Sequence, residues 1–172
     1  MYLWQNYKKL RTNNTMKKDS NCQSAIILGM HDAIVSLTGL IAGLFFAFTD
    51  SNIIIITCII SSITAALSMG AANYLAVKAI NHDQAKKSAF YTFASYMTTC
   101  VLLILPFFIF DNRTSALIAV ILMAIFIIFA FNRCCYRKKV FYKHFFEMLS
   151  ICTIVSIVAF FIGEIAHQIF GI

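Results

Sequence analysis

The stretch GMHDAIVSLTGLIAG, residues 29–43, decides how this chain folds. It places an acid, Asp32, inside a segment that is otherwise largely apolar from residue 24 to residue 48. A helix rises about 1.5 Å per residue, so this segment is long enough to cross a bilayer. Because a charge at membrane depth is costly, we interpret Asp32 as a candidate functional residue. The alternative is a carboxyl group that only hydrogen-bonds to a neighbouring helix.

Helical geometry gives Asp32 a defined set of neighbours. At about 100° per residue, it shares one stripe of the helix with Ser36, Gly39 and Gly43. The two glycines form a GxxxG pair, and small residues at this spacing let membrane helices approach closely. The sequence therefore predicts a helix-contact surface at Gly39 and Gly43, either within one chain or at the seam of a dimer.

The composition of the whole chain excludes an ordinary soluble domain. Of its 172 residues, 60% are hydrophobic and only 12% are charged, and the mean hydropathy is +0.81. Too little polar surface remains to cover a water-soluble globule. We predict an all-α membrane protein with a polar cytoplasmic segment at 1–23, loose from residue 12, and one membrane domain at 24–172. Its five transmembrane helices are expected at about 24–48, 53–77, 89–110, 116–131 and 145–170.

The basic residues predict the orientation of these helices. All 14 lysines and arginines except Arg113 lie before the first span, between the second and third, or between the fourth and fifth. These connections fall on one side of the membrane, which the positive-inside rule makes cytoplasmic. The N-terminus is then cytoplasmic, and the C-terminus is external or luminal. The net charge of +7 is explained by topology and by contact with lipid headgroups, not by a nucleic-acid partner.

The second span adds two candidate ligands for a metal ion. Its second half is rich in small residues, and Met69 and Asn73 lie on the same helical face. Asp32 and Met69 each lie about 12 Å in from the same membrane surface, so the two side chains could meet. A hard carboxylate and a soft thioether together suit a divalent transition metal. For Met69 the alternative is a filler in a crowded helix contact.

No pattern typical of an enzyme is present. The sequence has no nucleophile with a matching base, no phosphate-binding loop and no metal-ligand motif of catalytic spacing. The six cysteines are scattered and match neither a disulfide framework nor a zinc knuckle. We predict a protein that is not an enzyme and that holds no permanently bound cofactor.

Three stretches carry a family resemblance. The sequences ILGMHDAIVSLTGLIAG (27–43) and LSMGAANYLAVKA (67–79) resemble the first- and second-helix motifs of the vacuolar iron transporter family, which includes the nodulin-21-like proteins. The final FFIGEIAHQIFG (160–171) is also similar to the family's last helix. The resemblance implies a dimeric five-helix transporter in a bacterial inner membrane or an organelle membrane. It would move ferrous or similar divalent ions out of the cytosol in exchange for protons.

The resemblance also implies roles for particular residues. The family's first-helix aspartate and second-helix methionine line the ion pathway, and Asp32 and Met69 occupy these positions. His31 replaces a usual asparagine, Ala33 a usual glycine, and Asn73 the usual glutamate. The helical insertion that gathers metal between the second and third helices is reduced here to a short loop at 78–88.

The residues together predict a transporter of Fe²⁺ or Mn²⁺. Asp32 would bind the ion when ionised and a proton when empty, and Met69 would add a soft ligand. Ser36 and Asn73 would supply neutral oxygens. His31 could add an imidazole, or it could face another helix. The alternative function is a non-transporting scaffold or regulatory relative that has lost the metal chemistry.

Overall fold

The computed structural model describes residues 2–80, 82–110, 112–135 and 138–170. These residues form helices joined by very short connections, which confirms the all-helical class. The helices are α1 (Tyr2–Ala47), α2 (Ser51–Ile80), α3 (Ala85–Ile104), α4 (Pro106–Ile109), α5 (Arg113–Cys135) and α6 (Lys138–Phe170), with a 3₁₀ turn at His82–Gln84.

Helix α1 begins much earlier than the sequence predicted. The segment from residue 12 to residue 23, expected to be loose, continues the same helix back to Tyr2. That expectation was wrong because polarity alone does not end a helix. The chain contains neither proline nor glycine between residues 2 and 28, so nothing interrupts the hydrogen-bond ladder there.

The predicted spans agree with the apolar parts of these helices. Among the described residues, four stretches are long and apolar enough to cross a membrane, namely Cys22–Ala47, Ser51–Ile80, His82–Ile109 and Tyr142–Ile169. The predicted fourth span lies in α5, whose apolar stretch, Thr114–Ala130, is shorter. Helix α5 as a whole has 23 residues. At the usual rise it measures about 34 Å, comparable with the hydrocarbon core of a bilayer.

Side-chain caps begin two of the helices after their tight turns. The backbone N–H of Asn52 donates to Asp50 Oδ1 at 2.8 Å, and that of Thr114 donates to Asn112 Oδ1 at 3.0 Å. A side-chain oxygen satisfies an N–H that has no partner within the helix. The turns before α2 and α5 are therefore fixed locally, and each reverses the direction of the chain.

The connection between α2 and α3 is tighter than the loop predicted at 78–88. Helix α2 continues to Ile80, the 3₁₀ turn follows, and α3 begins at Ala85. Asn81 lies outside the described residues. The two helices are thus held side by side, and Gly70 on α2 faces Ala89 and Phe93 on α3.

The core lies around α1, which packs against α6, α3 and α2. Its apolar side chains are enclosed by those of α3 and by parts of α2 and α5. The largest fully buried side chains include Ile34, Ile41, Ile54, Tyr96, Leu103, Val120 and Ile128. By contrast, many large apolar side chains of α2, α5 and α6 are exposed, as expected for surfaces that face lipid tails.

Candidate functional site

Asp32 lies at the edge of the buried face of α1. Its two successors, Ala33 and Ile34, are fully buried, whereas Asp32 itself is half-buried. The carboxylate is close enough to α3 for its charge to act on the Tyr96 hydroxyl and the Cys100 thiol. Within the described part of the chain, it has no hydrogen-bond or ion-pair partner. Asp32 is therefore a carboxyl group in a membrane span without a partner among the described residues.

Ser36, one turn after Asp32, connects α1 to α3. Its Oγ lies 2.7 Å from the Tyr96 Oη, a distance at which either hydroxyl can donate. Tyr96 is only 2% exposed, while Ser36 remains exposed. A buried phenol hydroxyl needs a partner, and Ser36 provides it. The neutral oxygen predicted at Ser36 is thus already part of a hydrogen-bonded pair beside Asp32.

A small cavity adjoins this pair, and we call it the hydroxyl pocket. It has a volume of about 70 Å³ and lies between α1, α2 and α3. Four of its lining residues carry hydroxyl groups: Ser36, Ser61, Ser62 and Tyr96. The Oγ of Ser62 is buried with no nitrogen or oxygen partner in the described part of the chain, and it lies against the Cys100 thiol. The pocket thus carries hydroxyl groups, although most of its accessible lining is apolar.

Asn73 serves as a link between helices. Its Nδ2 donates to Thr92 Oγ1 at 2.5 Å and to Ser88 Oγ at 3.0 Å. Thr92 Oγ1 lies 3.2 Å from the carbonyl oxygen of Ala25 and 3.1 Å from that of Ser88. The network ties α2 to α3 and α3 to α1. Its hydroxyl and amide groups satisfy one another in a place that has little water.

Met69 lies one turn before Asn73 and is half-buried against the shared core. Among the described residues, no group of three or more His, Cys, Asp and Glu side chains is placed to hold a metal ion. Any ion at this site would therefore rely on Asp32 as its charged ligand. The Met69 thioether, the Ser36 hydroxyl and the Asn73 amide are neutral groups.

His31 faces a different neighbour from Asp32. It is half-buried and lies within electrostatic range of His144 near the start of α6. The Nδ1 of His144 is 3.4 Å from Glu147 Oε2. Both options for His31, a metal ligand or a contact with another helix, stay predictions.

Gly39 and Gly43 face α6 of the same chain. A Cβ atom added at Gly39 would lie 2.8 Å from Val155 Cγ1, and one added at Gly43 would lie 3.1 Å from the carbonyl oxygen of Ala159. A Cβ atom at Gly163 on α6 would overlap the carbonyl oxygen of Gly43. The three glycines allow α1 and α6 to approach backbone to backbone.

An open apolar groove runs beside this contact, and we call it the α1–α6 groove. It encloses about 610 Å³ and includes Ser36, Gly39, Leu40 and Gly43 from α1 together with Val158 from α6. Asp32 and Ser36 lie on the helical stripe that leads to it.

Sequence reasoning missed the partners contributed by α2 and α3. Tyr96 bonds to Ser36 one turn from Asp32, and Ser62 lies against the Cys100 thiol. Thr92 and Ser88 hold Asn73. The signal that could have identified those on α3 is the density of hydroxyl side chains between residues 88 and 99. Such side chains are expensive in a membrane helix unless they bond to another group.

The apolar helices and the half-buried carboxylate at membrane depth define a multi-pass integral membrane protein. Residues 23–84 match the model of the VIT family, the vacuolar iron transporters. The match supports the assignment of the chain to this family, and it covers both helices that carry Asp32 and Met69. A comparison with curated proteins gives no match.

Proposed function

We propose that this chain transports a divalent transition metal, iron or manganese, out of the cytosol in exchange for protons. The family match indicates membrane metal-ion transport, and members of this family are transporters rather than enzymes. The observation that carries the proposal is the carboxylate of Asp32. It is half-buried, lies in a helix covered by the match, and has no hydrogen-bond or ion-pair partner among the described residues.

A carboxylate in this position needs a positive partner. Charge in a medium of low dielectric constant is costly unless a counter-charge or a proton neutralises it. A divalent cation and a proton can each do so at Asp32, but not both at once. Competition for one group is enough to couple the release of metal to the uptake of a proton.

Neutral groups would complete the coordination of the ion. The hydroxyl of Ser36 is one turn from Asp32, and the Met69 thioether lies in the same core. The amide nitrogen of Asn73 donates to Thr92 and Ser88, so only its carbonyl oxygen could contribute. His31, which lies within electrostatic range of His144, is the least supported of the proposed ligands.

We further propose that the protein works as a homodimer. The α1–α6 groove passes Ser36, Gly39 and Gly43, which share a helical stripe with Asp32. A second copy seated on this groove would cover the small residues and exclude lipid from the acid. Two α1 stripes would then enclose a shared pathway between the protomers.

Transport into liposomes tests the proposal. Purified protein would be reconstituted, and uptake of Fe²⁺, Mn²⁺, Zn²⁺ and Ca²⁺ would be followed. We expect Asp32→Asn to abolish metal flux. The matched control is Asp50→Asn, the same change at an exposed capping residue whose acceptor role asparagine can keep. Metal flux through Asp32→Asn at the wild-type rate would show that the proposal is wrong.

A non-transporting scaffold or regulatory protein is the second candidate. It is favoured by the single charged ligand at the site and by Asn73, whose amide nitrogen is used in helix packing. In the same liposomes, wild-type protein that neither binds nor moves any of the four metals would support this candidate.

A further inference from the structure

A second apolar groove lies along a different face of α6, between α5 and α6, and we call it the α5–α6 groove. It encloses about 480 Å³. Its walls include Ile121 and Ile125 from α5 and Ile157 from α6, and its lining also includes the buried Ile41 of α1. Ile121 and Ile157 are each about half-exposed. The groove therefore opens at the outer surface of the bundle, where a membrane protein meets lipid.

The threonine hydroxyl groups in this groove are not offered to a ligand. The hydroxyl of Thr38 donates to the carbonyl oxygen of Ile34 at 2.6 Å, and that of Thr153 donates to the carbonyl oxygen of Leu149 at 2.8 Å. Each hydroxyl is thus satisfied within its own helix. Most of the other lining residues are aliphatic or aromatic. The groove suits a hydrocarbon chain.

Positive charge gathers at one end of α5 and α6. Residues 133–147 contain five basic residues and one acid, Glu147. Arg133 lies in the last turn of α5, Lys143 lies near the start of α6, and both are exposed. The long side chains of arginine and lysine can lie along apolar surface while their charged ends reach the membrane interface. This end of the bundle therefore attracts an anionic headgroup.

The dimensions of the groove fit one lipid leaflet. The lining residues nearest to the charges are Ile128, five residues before Arg133, and Leu149, six residues after Lys143. These separations correspond to about 8–9 Å along each helix. On α6 the groove continues to Phe160, about 16 Å further at the usual rise. Half of a bilayer, headgroups included, measures about 20 Å. A lipid with its headgroup at the basic end can therefore place an acyl chain in the groove.

We propose that the α5–α6 groove binds one anionic phospholipid from the leaflet at the basic end of the bundle. Its acyl chain lies in the groove, and Arg133 and Lys143 hold its phosphate by charge-assisted hydrogen bonds. The bound lipid fills the space between α5 and α6 that the side chains leave open. This site goes beyond the proposed function and does not depend on metal transport.

Removal of the two charges tests the headgroup site. Native mass spectrometry of delipidated protein in detergent would measure the binding of phosphatidylglycerol and of phosphatidylcholine with the same acyl chains. We expect wild-type protein to bind one phosphatidylglycerol several-fold more tightly than phosphatidylcholine. Arg133→Gln combined with Lys143→Gln should weaken phosphatidylglycerol binding about fivefold for each charge removed.

The matched control removes two other charges. Lys86→Gln combined with Lys87→Gln neutralises two exposed lysines at the start of α3, a helix none of whose described residues lines the groove. The sequence places these lysines on the same side of the membrane as Arg133 and Lys143. This control should bind phosphatidylglycerol as wild-type protein does.

A larger side chain in the groove tests the site of the acyl chain. Thr153 is exposed and lines the groove, so Thr153→Phe should weaken phosphatidylglycerol binding several-fold by occupying the space. Thr98→Phe is the control. Thr98 is an exposed residue of α3 whose hydroxyl likewise donates to the carbonyl oxygen four residues earlier, that of Ala94.

The possible outcomes decide between occupants. Equal affinity of wild-type protein for the two lipids would overturn the proposal. Equal phosphatidylglycerol binding by the two charge variants, or by Thr153→Phe and Thr98→Phe, would overturn it as well. If Thr153→Phe abolishes a dimer in the same spectra and leaves lipid binding unchanged, a second copy of the chain is the occupant and the lipid site is wrong. A failure of metal transport in liposomes would count against the proposed function alone.

Discussion

The hydroxyl groups of Ser36 on α1 and Tyr96 on α3 lie 2.7 Å apart, beside the carboxylate of Asp32. The two residues are separated by 60 positions in the chain. Their bond fixes the α1 stripe that carries Asp32 against the helix that supplies most of the hydroxyl groups. The candidate site is therefore formed by residues of three helices, although only α1 contributes a charged residue.

Proton competition should be visible in the pH dependence of metal flux. Lowering the pH on the side from which the ion binds protonates Asp32, so flux at a subsaturating Mn²⁺ concentration should fall. Asp32→Glu should keep the competition, and Asp50→Asn should match wild type. The measurement is initial Mn²⁺ uptake in liposomes over a series of pH values. A wild-type flux that does not change with pH would contradict exchange at Asp32.

Replacing Asn73 should destabilise the bundle. Asn73→Ala removes the bonds to Thr92 and Ser88 that join α2 to α3. We expect the free energy of unfolding to fall by about 0.5–2 kcal/mol, the range for hydrogen bonds between membrane helices. Unfolding of purified protein in detergent would measure it. Thr64→Ala is the control, because this exposed hydroxyl bonds only within α2. Equal stability of the two variants would refute a linking role for Asn73.

Two glycine substitutions should have opposite effects. In Gly163→Ala the new methyl group overlaps the carbonyl oxygen of Gly43, so α1 and α6 must separate. We expect this to cost about 1–3 kcal/mol, as overpacking commonly does. In Gly70→Ala the methyl group makes an ordinary contact at 3.4 Å with Phe93 Cβ. Because alanine favours the helix by up to about 1 kcal/mol, Gly70→Ala should be neutral or stabilising.

Thermal unfolding in detergent would compare these two variants with wild type. A Gly163→Ala protein as stable as Gly70→Ala would show that the close approach of α1 and α6 does not contribute to stability.

A dimer formed across the α1–α6 groove should be captured by cross-linking. Val158 lines the groove and is 52% exposed, so a second copy seated there would bring two Val158 positions near each other. We expect Val158→Cys to form covalent dimers in membranes treated with a short bifunctional thiol reagent. Phe126→Cys, 65% exposed on α5, is the control and should remain monomeric. Equal cross-linking at the two positions would argue against the groove as the interface.

The sequence predicted the helices better than the contacts between them. The long apolar runs predicted an all-helical membrane protein, and the described residues form helices with long apolar stretches. The helical continuation through residues 12–23 and the tight α2–α3 connection were missed, since polar residues form helices as readily as loops when no proline or glycine intervenes. Asp32 was identifiable because an acid in an apolar run is conspicuous in the sequence itself. The partners of Asn73 were not, because spacing on one helix does not tell which residues of another helix will meet it.

By itself, the sequence determined that this chain is a multi-pass membrane protein with one acid deep in its first span. Only the apolar runs and the cost of a buried charge are needed for that conclusion. The tertiary structure decided what surrounds the acid. It turned Gly39 and Gly43 towards α6, engaged Asn73 with α3, and paired Ser36 with Tyr96 one turn from Asp32. These contacts depend on how each helix is rotated and shifted relative to its neighbours. They follow from how all the side chains pack together, which no single stretch encodes.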